Sequence, residues 1–252
     1  MNNDKRIIAR VARTFKTLLL GAMVAMTCSC EDFLTISPTD KIVLEDFWKS
    51  KADVENVVAE SYRLMTQFDV LSRVIVWGEL RGDNVVEGNY GGNNDIKNIM
   101  EANLLPTNSY NSWAPFYKII NNSNIVLKYA PGVLNEDPDF TQGDLDVVSG
   151  EMLALRALCH FYLVRTFRDI PLLTEAMVDD SQNLYQLQVS PIVALDSCLA
   201  DLKRAESLVL TTGNYPDDKN PVQNRNMGRI TKDAVRTIIA DVCLWKAAFL
   251  TQ

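Results

Sequence analysis

Glu151, Arg156 and His160 lie within ten residues of one another, with His160 one helical turn beyond Arg156. An acid, a cation and an imidazole so placed can do acid–base work only if a nucleophile stands in register with them. None does, and His160 is the only histidine among 252 residues. A lone imidazole builds neither a triad nor a metal cluster, so the three are read as a buried ion pair or hydrogen-bond set. Asp137-x-Asp139 invites a calcium loop, but its sixth position is Gln142 and its twelfth is Val148, where that loop needs Gly and Glu. Cys159, Cys198 and Cys243 are too widely spaced for zinc and are read as small buried hydrophobes. The sequence therefore offers no catalytic residue, no metal site and no cofactor.

A different chemistry stands at residues 23–40, MVAMTCSCEDFLTISPTD. The basic head MNNDKRIIARVARTFK precedes a short apolar run ending in small residues, the pattern of an exported leader. That run is shorter than the roughly 20 residues a membrane-spanning helix needs. Ser29-Cys30 matches the small-residue–Cys junction of bacterial lipoproteins, at which the Cys30 thiol takes lipid; Cys28 competes, with Thr27 the poorer neighbour. Several acyl chains, at about 0.8 kcal/mol per buried CH₂, hold a protein on a membrane without spanning it. Loss of residues 1–29, with five basic groups against one acid, takes the net charge from −7 to −11. So acidic a body disfavours nucleic acid.

Apolar spacing predicts the helices that must position any site. The first covers about 51–67 behind the cap Ser50-x-x-Asp53, and a second covers 69–80. Glycines 82, 88, 91 and 92 and many asparagines then predict a loop through residue 112. Residues 113–129 resume the helical period, with Trp113, Phe116 and Tyr117 read as packing, and Pro131-Gly132 should close that helix. The helix at 144–167 is apolar almost all round and needs neighbours on two sides. IPLLTEAM, from Ile170, reads as extended. Ser190-Pro191 opens a helix to 209, and Thr231 caps the last, 231–250. Pairing 113–129 with 144–167, and 190–209 with 231–250, gives an all-α, tetratricopeptide-like solenoid of helical hairpins with long loops. The expected organisation is a leader at 1–29, a lipidated tether at 30–49 and a helical domain at 50–252.

Four segments resemble one family. The long helix, Glu151-MLA-Leu155-Arg156-Ala157-LCHFYLVRTFR-Asp169-Ile170-Pro171-Leu172, is similar to the E-x-x-x-L-R-A…F-G-D-x-P-L signature of SusD/RagB nutrient-binding lipoproteins. Phe116-Tyr117-Lys118-x-Ile120-NNS-Asn124-IVL resembles L-Y-K-x-I-x-x-A-N-x-x-L, and Gly228-Arg229-Ile230-Thr231-Lys232-D-Ala234 resembles G-R-x-T-K-x-A. Cys30-Glu-Asp-Phe-Leu with Pro38-Thr-Asp and Phe47-Trp48 completes the set in the family's order. Arg168 departs from it, standing where Gly would take a left-handed cap at about 1 kcal/mol less.

The resemblance implies a SusD-like helical scaffold on the outer membrane, binding a glycan or peptide without chemistry. Its implied partner is a TonB-dependent, SusC-like transporter, with Glu31-Asp32 as a surface-export signal. It places Arg81, Asp83 and Asn84, with Tyr90 and Asn93, near the ligand. Sugar recognition wants such bidentate polar groups beside an aromatic face, although the same residues suit a helix end and a solvated loop. Family members are considerably longer, so the chain is read as an N-terminal fragment or truncated product lacking the C-terminal half. A tetratricopeptide-like scaffold for envelope assembly and a lipoprotein hydrolase are the competing readings, the latter without a visible catalytic set.

Overall fold

The structure, a computed structural model, describes residues 47–251 apart from 83, 87, 89–91, 180, 184 and 216–227. Cys30, Asp83 and Tyr90 thus lie outside the described residues. Seven α-helices stand among those described: α1 Lys51–Met65, α2 Phe68–Gly78, α3 Asn94–Met100, α4 Ala114–Val133, α5 Gln142–Phe167, α6 Pro191–Leu208 and α7 Lys232–Leu250. The fold is all-α, as the periodicity predicts. Its one sheet among the described residues is two residues long, with β1 (Ile170–Pro171) antiparallel to β2 (Gln188–Val189).

Ser50 and Thr231 start their helices where sequence places them, and α5 begins two residues before its expected start at 144. Ser50 and Asp53 close a reciprocal box on α1, and Thr141 with Asp144 does the same on α5. Thr231 accepts from Ala234 N on α7, whereas Ser190 makes no side-chain cap on α6. α5 is buried on nearly every side from Leu145 to Val164. It packs against α4 on one flank and α6 on the other, and α7 packs on α6. The two hairpins are therefore welded through α5 and α6. Gly150 permits that weld, because a Cβ there would fall 2.8 Å from Val209 Cγ1 and 2.9 Å from Leu208 Cβ.

Two hydrophobic clusters fill the interior. One joins Phe116, Ile120, Phe161, Leu163, Leu195 and Leu202, and the other joins Trp48, Val54, Val126, Val133, Phe140 and Met152. Each large aliphatic or aromatic side chain so buried contributes about 1.5–3 kcal/mol.

Four expectations need correction. The loop predicted from 81 to 112 contains α3 and a 3-10 turn at Ser109–Asn111. α4 runs through Pro131 to Val133, because Ala130 and Val133 are wholly buried and their packing overrides the local break. Cys243 is exposed on α7, while Cys159 and Cys198 are buried as expected. Glu151 and Arg156 do not pair with each other, each having a partner on another element. Arg168, after α5, has φ 69° and ψ −80°, the strained backbone that Gly would have avoided.

Candidate functional site

The motif residues form a buried joint rather than an open site. Glu151, wholly buried on α5, accepts from Arg229 Nη2 at 2.6 Å and Nε at 2.9 Å, and from Tyr215 Oη at 2.7 Å. Burial pushes the Glu151 carboxyl above the usual range, against the pull of Arg229 and of those hydrogen bonds. Tyr215 Oη also bonds Ile230 O, and Ile230 N donates to Tyr62 Oη, so α1 is fastened to the entry of α7.

A second set lies between α4 and α5. Arg156 makes a fork on Asp201 at 2.7 and 2.8 Å, and its third nitrogen donates to Asn124 Oδ1 and to Thr174 O. The extended segment after β1 has its backbone satisfied by side chains. Tyr117 Oη donates to Pro171 O, and Asn124 Nδ2 donates to Leu173 O and Glu175 O. Asn121 bonds Met177 N and O reciprocally, at 2.8 Å each way. His160 Nε2 accepts from Leu173 N at 3.4 Å. Burial first, then the charge of Arg156, lowers the His160 pKa to about 3, so the ring stays neutral at ordinary pH. The set is a strap fitting with no open face.

Open polar capacity appears instead at a cleft of about 380 Å³ between the end of α2, the last turns of α5, and α7. Trp77, Tyr162 and Trp245 supply its aromatic walls, and Arg81, Arg165 and Thr166 supply its polar groups. Trp77 is held rigidly. Its ring stacks on Phe116 at 4.9 Å and meets Phe167 edge-on, while its Nε1 donates to Tyr110 O at 3.1 Å. α2 itself is anchored by Arg73, which donates to Asp69 O, Ser109 O and Ser112 O.

Arg165 lies over the Trp245, Phe161 and Tyr162 rings at 5.1, 5.2 and 5.6 Å and faces Asp241 at 3.5 Å. Tyr162 is half-buried; burial raises its pKa, with Arg165 opposing, so it remains a hydroxyl. It makes no hydrogen bond through that hydroxyl among the described residues. Nor is the hydroxyl sealed away, since Trp48 Nε1 is the one buried unpartnered side-chain polar atom among the described residues. Arg81 is exposed and has no hydrogen bond or ion pair among the described residues.

Of the described residues that sequence assigns to a ligand, Arg81, Asn84 and Asn93, Arg81 alone lines this cleft. Asn84 is exposed on a turn. Asn93 caps α3, its Oδ1 accepting from Asp95 N at 2.9 Å. Trp77, Tyr162, Arg165 and Trp245 were missed, and the one local signal was a tryptophan four residues before Arg81.

Comparisons with known proteins agree with this fold. A family model described as SusD-like, starch-binding and associating with outer membrane, matches residues 32–243. SusD-like protein P38 of Formosa agariphila is 29% identical over 206 residues, covering 81% of this chain and 39% of that relative. SusD-like protein P25 of the same organism is 26% identical over 247 residues, covering 90% and 42%. The chain thus spans about two-fifths of the curated relatives it matches. Among solved structures, a SusD superfamily protein of Bacteroides thetaiotaomicron superposes with TM-score 0.68 at 23% identity, covering 79% of this chain and 45% of that one. A laminarin-binding SusD-like protein superposes with TM-score 0.63 at 23% identity, covering 79% and 41%.

Proposed function

This chain belongs to the SusD-like family, and on that premise we propose that it is a lipid-anchored protein of the outer membrane's exterior. It binds an oligosaccharide and passes it to a TonB-dependent, SusC-like transporter, catalysing no reaction itself. The family match over residues 32–243 carries this reading, and the cleft gives it a place. Aromatic walls with hydrogen-bonding groups converging between them suit a sugar, whose apolar ring face stacks while its edge bonds. Cys30, after its short apolar run, supports the anchor. A docking partner is supported by α2, which buries Arg73 yet turns Phe68, Leu71 and Ile75 outward along one stripe. Large apolar side chains in such an array mark a contact surface.

Calorimetry of the purified full chain against a panel of neutral and charged oligosaccharides tests the binding. Saturable binding that Trp245→Ala abolishes is expected, and a chain that binds peptides but no sugar sinks the reading. Cys30→Ala should move the native product from the membrane to the soluble fraction. Wild-type protein already soluble without detergent would overturn the anchor.

A further inference from the structure

The cleft's hydrogen-bonding inventory is one-sided. Among the described residues its polar side-chain groups are two guanidiniums, two hydroxyls and two indole N–H groups, with no carboxylate and no amide. A guanidinium offers five N–H donors and accepts nothing. Thr166 Oγ1 already donates to Tyr162 O, and Trp77 Nε1 is taken by Tyr110 O. A neutral sugar brings hydroxyls that must donate as well as accept, and the described side chains offer their protons only the two hydroxyl oxygens. A ligand rich in acceptors fits better.

Charge points the same way. The chain carries net −7, yet the cleft is lined by Arg81 and Arg165 alone among its charged residues. Asp241 offsets Arg165 only at 3.5 Å, longer than a strong ion pair, and is half-exposed. Glu79, the other acid close enough to act on Tyr162, lies outside the lining. Arg81 has no ion-pair partner among the described residues, and beside it Gly78, where an added Cβ would meet nothing within 4 Å, leaves the mouth open.

Resting on the proposed glycan-binding role, we propose that this cleft selects an anionic oligosaccharide, one bearing carboxylate or sulfate-ester groups. Arg81 makes the charged fork, and Arg165, held flat by three rings, supplies a second one ready oriented. A planar fork meets two oxygens of such a group at once, which a lysine cannot do.

The test is calorimetry of the full chain in detergent with three probes of matched length: a neutral β-glucan, an oligouronate and a sulfated galactan. An anionic probe should bind about tenfold more tightly than the neutral one, with that advantage shrinking at high salt. Preference for the uronate assigns a carboxylate, and preference for the galactan assigns a sulfate. Arg81→Gln should erase the advantage without lowering thermal stability, and Arg81→Lys should restore only part of it. Equal or tighter binding of the neutral glucan overturns the selectivity and leaves the glycan reading standing. Binding of an acidic peptide in place of every sugar overturns both.

Discussion

The joint around Glu151 and the cleft around Arg81 both rest on arginine and tyrosine, yet they spend them in opposite ways. In the joint and the set beside it the charged and hydroxyl groups are buried or largely so and matched: Glu151 to Arg229 and Tyr215, Arg156 to Asp201 and Asn124. In the cleft, Arg81 and the Tyr162 hydroxyl have no partner among the described residues. A matched buried network fixes geometry and cannot be reassigned without loss. An unmatched group beside a rigid aromatic wall holds its bonding capacity for something else. The residues that identify the family therefore build the scaffold, and the residues proposed to meet a ligand lie apart from them.

Breaking the joint should give the largest effect. Arg229→Met leaves the Glu151 carboxylate buried without its ion partner, a change worth about 3–5 kcal/mol. Chemical denaturation should show that loss, and Glu151→Leu combined with Arg229→Met should recover most of it. A single variant losing less than about 1 kcal/mol would mean that the joint is not what fastens α7 to α5. Gly150→Ala attacks the same weld by volume alone. With Val209 N 3.0 Å from the added Cβ, backbone and not merely a side chain must shift, at about 1–3 kcal/mol. An unchanged midpoint would show that α5 and α6 approach less closely than described.

The strap fitting can be sharpened with pH. The folded His160 pKa, lowered to about 3, lies below its ordinary 6.5, so the unfolded chain takes up a proton that the folded chain refuses. Stability is therefore level above pH 6.5 and falls as pH drops from there toward 3. The loss should reach about 2 kcal/mol by pH 5. Asp137 and Asp144, held low by hydrogen bonds, add their share only at more acid pH. Glu151, raised by burial, works in the opposite direction, so the informative quantity is the difference from His160→Gln. That variant keeps an acceptor for Leu173 N and removes the titration. Parallel pH profiles for the two proteins would exclude His160 as the source of the slope.

Most of the scaffold was legible because its signals are local. Ser50 and Thr231 cap the helices they precede, and α5 is too apolar to lie anywhere except between two others. α3 escaped notice because it is seven residues long, and its cap, Asn93, is a type equally suited to a loop or a ligand. Pro131 misled because its local preference is overridden by packing that no window of sequence contains. Partners were the hardest to read: Glu151 meets Arg229 across 78 residues and Arg156 meets Asp201 across 45, so each pairing depends on how the hairpins stack. The cleft was illegible for the same reason. Trp77, Tyr162 and Trp245 sit on three helices, and Tyr162 lies on the helix whose sequence is apolar almost all round.

The smallest expected effect tests the cleft's half of the comparison most directly. Tyr162→Phe removes one oxygen that bonds to nothing in the protein and keeps the ring over which Arg165 lies. If that hydroxyl is reserved for a ligand, the thermal midpoint should hold to within about 0.5 kcal/mol while affinity falls severalfold, the usual scale for one hydrogen bond. A stability loss above about 1 kcal/mol would mean that the hydroxyl works for the scaffold, and the two regions would then differ in exposure alone. The sign of that one measurement decides whether an unpartnered group marks the binding surface of this chain.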